Sequence, residues 1–238
     1  GCGSNDKAED GQKSVLIVGS ETTYPPFEML ADGEYVGFDM DLIKAIGEEQ
    51  GYEIKIHSMG FDALIPALQA DKVDCVASAQ SITEKRLQKI DFSEPYFQGG
   101  LAITVRADNE DITALEDLQG RVLAAEIGTT GASYCDKIKE DDAATSIKLF
   151  DSIGEAFMEL TKGGADAIVN DWAVTHYYID TEGKDKVKMV GDIFSADEEY
   201  GIGVKKGNTE MLNLINEGLA KIKENGTYDE IYNKWFGE

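Results

Sequence analysis

Short unbroken apolar runs alternate along this chain with stretches in which apolar residues recur every three or four positions. Val15-Leu16-Ile17-Val18 is apolar throughout and ends at Gly19-Ser20, the pattern of a strand covered on both faces. From Asp39, residues Met40, Ile43 and Ile46 fall on one face at helical spacing, with Asp39 placed to cap the first turn. The pattern predicts a second helix from about Asp62 to Ala70, in which Pro66 is tolerable only near the start, and a strand over Val73 to Ala77. Strand and helix alternate, which argues for an α/β fold with a mostly parallel sheet.

The plan then recurs. Leu68 and Asp74 are spaced as Leu160 and Asp166 are, each aspartate followed by apolar residues, and Val15 to Ser20 is echoed by Val122 to Gly128, a strand running into a polar loop. Two copies of one plan, as two lobes, account for these echoes, although echoes this short also arise by chance among α/β units. The expected division is a polar leader at 1–13, a first lobe at 14–98 plus 200–238, a second lobe at 102–193, and hinge crossovers at 98–102 and 193–200. Gly99-Gly100 supplies backbone freedom at the first crossover. Thr209 to Lys223 is amphipathic, Asn225-Gly226 is a stop signal, and Thr227 to Phe236 predicts a last helix bearing Tyr228, Tyr232 and Trp235.

Charge changes the picture more than composition does. The 238 residues hold 22 Lys+Arg against 46 Asp+Glu, a formal charge of −24, which repels polyphosphate backbones and anionic headgroups, so nucleic acid is not an expected partner. No apolar run approaches the ~20 residues of a transmembrane helix. Gly1-Cys2-Gly3-Ser4-Asn5 with its polar continuation resembles the start of a bacterial lipoprotein cut before a lipid-modified cysteine, which would make Cys2 a lipid attachment site; a cloning remnant would read the same. Cys75 and Cys135 read as small buried hydrophobes, and three cysteines give no disulfide framework. No nucleotide loop, metal spacing or cofactor motif is present, and His57 and His176 are too few to argue for acid–base or nucleophilic catalysis.

The stretch Ala79-Gln80-Ser81-Ile82-Thr83-Glu84-Lys85-Arg86 follows a strand and opens a short helix. Strand ends are where α/β folds bind ligands. Ser81 can donate a hydrogen bond there, and Arg86 offers a planar fork that fits a carboxylate. An exposed arginine on a helix turn would show the same letters.

Five segments carry a resemblance. Thr22-Thr23-Tyr24-Pro25-Pro26-Phe27, Gly37-Phe38-Asp39-Met40-Asp41-Leu42, Phe61 to Leu68, Ser81 to Arg86 and Asp91-Phe92-Ser93-Glu94-Pro95-Tyr96 occur in the order found in the polar amino-acid-binding proteins of ABC importers, and the chain resembles that family from about Val15 onward. The resemblance implies two similar lobes joined by a two-strand hinge, the type II periplasmic binding protein fold, and an extracytoplasmic location, in the periplasm or on the outer face of the membrane. It implies a binding protein and not an enzyme, monomeric, with a free amino acid and a membrane permease as partners and no cofactor. By the same resemblance Arg86, with Ser81 and Thr130, takes the ligand's α-carboxylate, and Asp171 with the Ala79 carbonyl takes its α-ammonium. Tyr24 and Phe61 flank the side chain, and Gln80 belongs to the same ligand-binding stretch.

Glu21 and Glu126 depart from common patterns of the family. Two acidic groups at the side-chain end favour a basic ligand: arginine first, then lysine, ornithine or histidine. If Glu126 faces solvent or a protein cation instead, glutamine becomes the competitor. Dehydratases acting on cyclohexadienyl compounds share this fold, and Glu126 would be the acid such an enzyme needs. A sensory ectodomain is a further alternative.

Overall fold

The computed structural model describes residues 13–237; Cys2 and the rest of the polar leader lie outside the described residues. The chain begins with β1 (Ser14–Ser20), the hairpin β2 (Met29–Ala31) and β3 (Glu34–Val36), α1 (Phe38–Gln50) and β4 (Tyr52–Ser58). A 3-10 turn at Phe61–Ala63, α2 (Leu64–Gln69), β5 (Cys75–Val76), α3 (Glu84–Leu87), β6 (Ile90–Phe92) and β7 (Phe97–Gln98) follow. A second unit comprises β8 (Leu101–Arg106), β9 (Val122–Glu126), α4 (Thr130–Asp141), β10 (Ser146–Phe150), α5 (Ile153–Thr161), β11 (Ala167–Asp171), α6 (Trp172–Asp180) and β12 (Val187–Phe194). The chain returns through β13 (Glu199–Tyr200), β14 (Gly203–Lys205), α7 (Thr209–Glu224) and α8 (Thr227–Phe236).

Two five-stranded sheets result, ordered β4-β1-β5-β14-β6 and β10-β9-β11-β8-β12. Each has a parallel trio, β4-β1-β5 in one and β10-β9-β11 in the other, extended by antiparallel strands. The sheets are therefore mixed, and the fold is α/β with two similar lobes. The aspartates of the repeated sequence do the same work in both. Asp74 Oδ2 accepts from Ile17 N–H at 2.7 Å in β1, and Asp166 Oδ2 accepts from Val122 N–H at 2.8 Å at the start of β9. Each ties the loop before one parallel strand to its neighbour, which is why leucine-to-aspartate spacing recurs.

Two details differ from the sequence pattern. The helix expected from Asp62 divides into the 3-10 turn and α2, with Pro66 in the first turn of α2, where no carbonyl waits for its missing N–H. Asp39 does not cap α1. The N-cap is Gly37, with no side-chain cap bond, and Asp39 is wholly buried. Its carboxylate accepts from the Ala79 N–H at 2.6 Å and from the Tyr96 hydroxyl at 2.7 Å. Residues 39, 43 and 46 share a helical face, so Asp39 turns inward with Ile43 and Ile46.

The lobes are joined by β7 and β13, which pair antiparallel through Phe97↔Tyr200 and Gln98↔Glu199. Beside this ribbon Gly100 has φ +146°, and a Cβ there would stand 2.9 Å from Ile193 Cγ2, so only glycine fits. An aromatic cluster packs under the junction: Phe27 lies 5.0 Å from Phe97, 5.4 Å from Tyr200 and 5.6 Å from Phe236, ring centre to ring centre. The last helix is thus built into the floor of the space between the lobes.

Candidate functional site

The C-terminal ends of the parallel strands of both sheets point at one cleft, where an α/β sheet leaves room for a ligand. Strand β5 leads into Ser78 and Ala79, and Ala79 holds φ +44°, a left-handed conformation that a non-glycine residue adopts only when its surroundings impose it. Those surroundings are Asp39, bonded to its N–H, and Glu28, whose Oε1 accepts from Ser78 Oγ at 2.9 Å. Glu28 and Asp39 are both wholly buried and adjacent. Burial raises both carboxyls, Glu28 furthest, with the adjacent Asp39 charge adding to the rise. This acid pair fixes the backbone that forms one wall of the site.

Beyond Ala79, Ser81 bridges to Tyr200 and Ile82 N–H donates to Glu199 O at 2.8 Å, stitching the loop to the junction ribbon. Thr83 caps α3 by accepting from Arg86 N–H at 3.2 Å. Arg86 is then aimed back across its own loop: Nη1 donates to Ser81 O at 2.6 Å, and Nη2 reaches the opposite lobe at Gly128 O, 3.0 Å away. Its guanidinium lies 5.4 Å from the centre of the Phe61 ring. Burial lowers the Arg86 pKa to about 10, against the opposing influence of Glu198. It stays cationic at neutral pH.

The second lobe contributes a helix N-terminus and a carboxylate. Thr129 caps α4 by accepting from Ala132 N–H at 3.2 Å while donating to Glu126 O at 2.7 Å. Gly131 lies against β11, where a Cβ would come within 2.3 Å of Val169 O, so the first turn of α4 presses directly on the strand that ends in Asp171. Partial positive charge at that turn favours an anion. Asp171 caps α6, its Oδ1 accepting from Ala173 N–H at 2.8 Å and Val174 N–H at 3.0 Å, while Oδ2 is buried without a partner. Burial raises its pKa to about 7.

These groups surround one narrow space, lined by Tyr24, Phe61, Ala79, Ser81 and Arg86 from the first lobe and Thr130 and Asp171 from the second. Arg86 and Asp171 offer opposite charges from opposite lobes. Tyr24 crosses the cleft, its hydroxyl donating to Asn170 Oδ1 at 3.2 Å.

Three residues singled out in the sequence sit elsewhere. Gln80 is buried and lines a neighbouring groove with Thr83 and Gly128 instead of the central space. Glu21 and Glu126 do not line it either. They stand behind Tyr24, one from each lobe, close enough that each acts on the other and on the Tyr24 hydroxyl. Conversely, the central space is also lined by Gly100, Leu101, Thr129, Gly131, Asn170, Glu198 and Tyr200. Asn170 adjoins Asp171 in the sequence, and strand-end position was the signal for it. Glu198 and Tyr200 come from the return crossover, whose position was readable but whose inward side chains were not.

The chain is similar to known proteins over nearly its whole length. It is 34% identical over 221 residues to ABC transporter arginine-binding protein 1 of Escherichia coli (strain K12), covering 92% of this chain and 89% of that protein. Among solved structures it superposes on an ancestral arginine-binding protein bound to arginine with TM-score 0.90 and 45% identity, covering 94% of this chain and 99% of that one. An ancestral arginine-binding protein bound to glutamine matches with TM-score 0.89 and 44% identity, over 95% and 100% of the two chains. An ancestral amino-acid-binding protein described as a precursor of cyclohexadienyl dehydratase matches with TM-score 0.85 and 37% identity, over 94% and 96%. Residues 16–238 match the family model of bacterial extracellular solute-binding proteins, family 3. Two mixed-sheet lobes, a cleft at their strand ends and this match together place the chain in that family, among the amino-acid-binding components of ABC transporters.

Proposed function

We propose that this protein captures one free L-amino acid between its lobes, with arginine the preferred ligand, and hands it to a membrane permease. The carrying observation is the opposition of Arg86 and Asp171 across one small space, which matches the two charged ends of a zwitterion. Arg86, Ser81 and the first turn of α4 at Thr130 would hold the α-carboxylate. The free Oδ2 of Asp171 and the Ala79 carbonyl would hold the α-ammonium. Tyr24 and Phe61 would enclose the side chain, which runs towards Glu21 and Glu126. A ligand held by both lobes stabilises the arrangement in which they meet, so binding favours closure about the β7–β13 ribbon. The relatives named for arginine support the ligand, and the glutamine-bound structure supports glutamine as the alternative.

Calorimetric titration of ligand-stripped protein with arginine, lysine, histidine, glutamine and cystine tests this reading. Arginine is expected to bind tightest; absence of binding by all five would reject it. Asp171 adds a pH signature. An α-ammonium needs the ionised carboxylate, and in the free site that group titrates at about 7. Affinity for a neutral amino acid such as glutamine is therefore expected to fall roughly tenfold per unit as pH drops below that value, and to be level just above it. A flat profile down to about pH 5 would show that Asp171 does not take the ammonium.

One observation favours a second reading. Glu126 is buried and protonated, as the acid of a dehydratase must be. Product formed from prephenate or arogenate would replace binding with catalysis.

A further inference from the structure

Glu21 and Glu126 form an acidic pair between the lobes, and no cation among the described residues stands on it. Glu21 follows β1 and is 4% exposed; Glu126 ends β9 and is 1% exposed. Glu21 Oε1 accepts from the N–H and the hydroxyl of Thr23, but Glu21 Oε2 and both oxygens of Glu126 are buried without a hydrogen-bond partner. Every titratable group facing the pair is acidic or neutral. Tyr24 lies near both the pair and Asp171, Glu28 accepts from Ser78, whose Oγ accepts from the Glu21 N–H, and Asp151 adjoins Glu126. The Thr23 N–H and hydroxyl at Glu21 and the Ile153 amide near Glu126 oppose them. Among the described residues, no lysine, arginine or histidine forms an ion pair with either glutamate. Arg86 is committed to the Ser81 and Gly128 carbonyls at the other end of the site.

Two ionised carboxylates cannot be buried side by side without compensation: either a proton or another positive charge must accompany them. We propose that a proton shared by Glu21 and Glu126 stands in for a cationic ligand side chain. The site then holds a neutral, amide-bearing amino acid with that proton bound, and a guanidinium or ammonium side chain with that proton released. This rests on the reading above that the ligand side chain points at the pair. Burial and the Glu21 charge together raise Glu126 to about 9, which keeps the proton in place at neutral pH when no cation is present. One pocket thereby offers two charge states to two ligand classes, and pH sets the preference between them.

The test is the ratio of arginine to glutamine affinity as a function of pH. Protons taken up by the free protein, and by Asp171 on binding either α-ammonium, cancel in that ratio. The two complexes differ by the one shared proton, so the preference for arginine is expected to grow tenfold per pH unit, roughly a hundredfold between about pH 6 and about pH 8. Glu126→Gln, which keeps the shape and removes the shared proton, is expected to flatten the ratio. A ratio independent of pH in the wild type, with both ligands binding, would overturn the shared proton and leave the amino-acid site standing. Millimolar glutamine unable to displace arginine even at pH 6 would overturn it too, because the protonated pair would then not be a working substitute. No binding of either ligand would instead reject the site assignment itself.

Discussion

Replacing Arg86 by alanine is expected to weaken binding of every α-amino acid by about 2–5 kcal/mol, roughly thirtyfold to several-thousandfold in Kd. The reason is geometric as well as electrostatic. Two of its N–H groups already hold Ser81 O and Gly128 O, which locks the guanidinium plane, and the remaining donors of the fork are presented at fixed angles. A carboxylate arriving there meets a donor pair that needs no further ordering. Arg86→Lys keeps a charge but not the fork and is expected to recover only part of the loss. Thermal melting with and without ligand is the convenient measurement, since a ligand that binds only the folded state raises the transition by mass action. The rise seen for wild type should vanish in the alanine variant. If it persists undiminished for any amino acid, the carboxylate is held elsewhere.

Asp39→Asn should produce the largest loss of stability among conservative changes around the site, about 2–3 kcal/mol at neutral pH. Asp39 receives two donors, the Ala79 N–H and the Tyr96 hydroxyl. An asparagine turns one acceptor into a donor, and one of the two loses its partner in a wholly buried place. At this chain length a loss of that size lowers the melting temperature by roughly 5–10 °C. Ligand affinity should fall with it, because the φ +44° conformation of Ala79 depends on that bond. Glu28→Gln is the matched control. It retains an acceptor for Ser78 and leaves both donors to Asp39 in place, so it is expected to cost well under about 1 kcal/mol. Equal losses for the two variants would show that the Ala79 and Tyr96 bonds to Asp39 are not what sets its contribution.

The contrast between these two predictions marks how far the amino-acid sequence could be read. The alternation of strand and helix, the doubled Leu-to-Asp spacing and the family resemblance were sufficient for two α/β lobes, because those patterns are local and periodic. Ser81 and Arg86 stood out because the stretch that bears them follows an apolar run that becomes a strand, whereas Asp171 entered only through the family resemblance. Asp39 was misread because a polar residue at the start of a helix suggests a cap, although its spacing to Ile43 and Ile46 already put it on the buried face. Glu198 and Tyr200 were not legible. They come from the irregular return crossover, where no periodicity says which side chain turns inward, and their role exists only once two distant parts of the chain have met. Gln80 adjoins site residues in the sequence but lines the neighbouring groove and not the central space.

The order in which the first sheet is assembled has a consequence for synthesis. All five strands of the second sheet come from one contiguous segment, 101–194, so everything it needs has left the ribosome once β12 has emerged. The first sheet cannot close then. Its fourth strand, β14, is a three-residue insert between β5 and β6, made more than a hundred residues after them, and α7 and α8 come later still. Until then β5 and β6 each keep an open edge, the kind of surface on which nascent chains mispair. The unit encoded in the middle of the chain matures first, and the one holding both ends waits, with Arg86 already translated but its sheet unfinished.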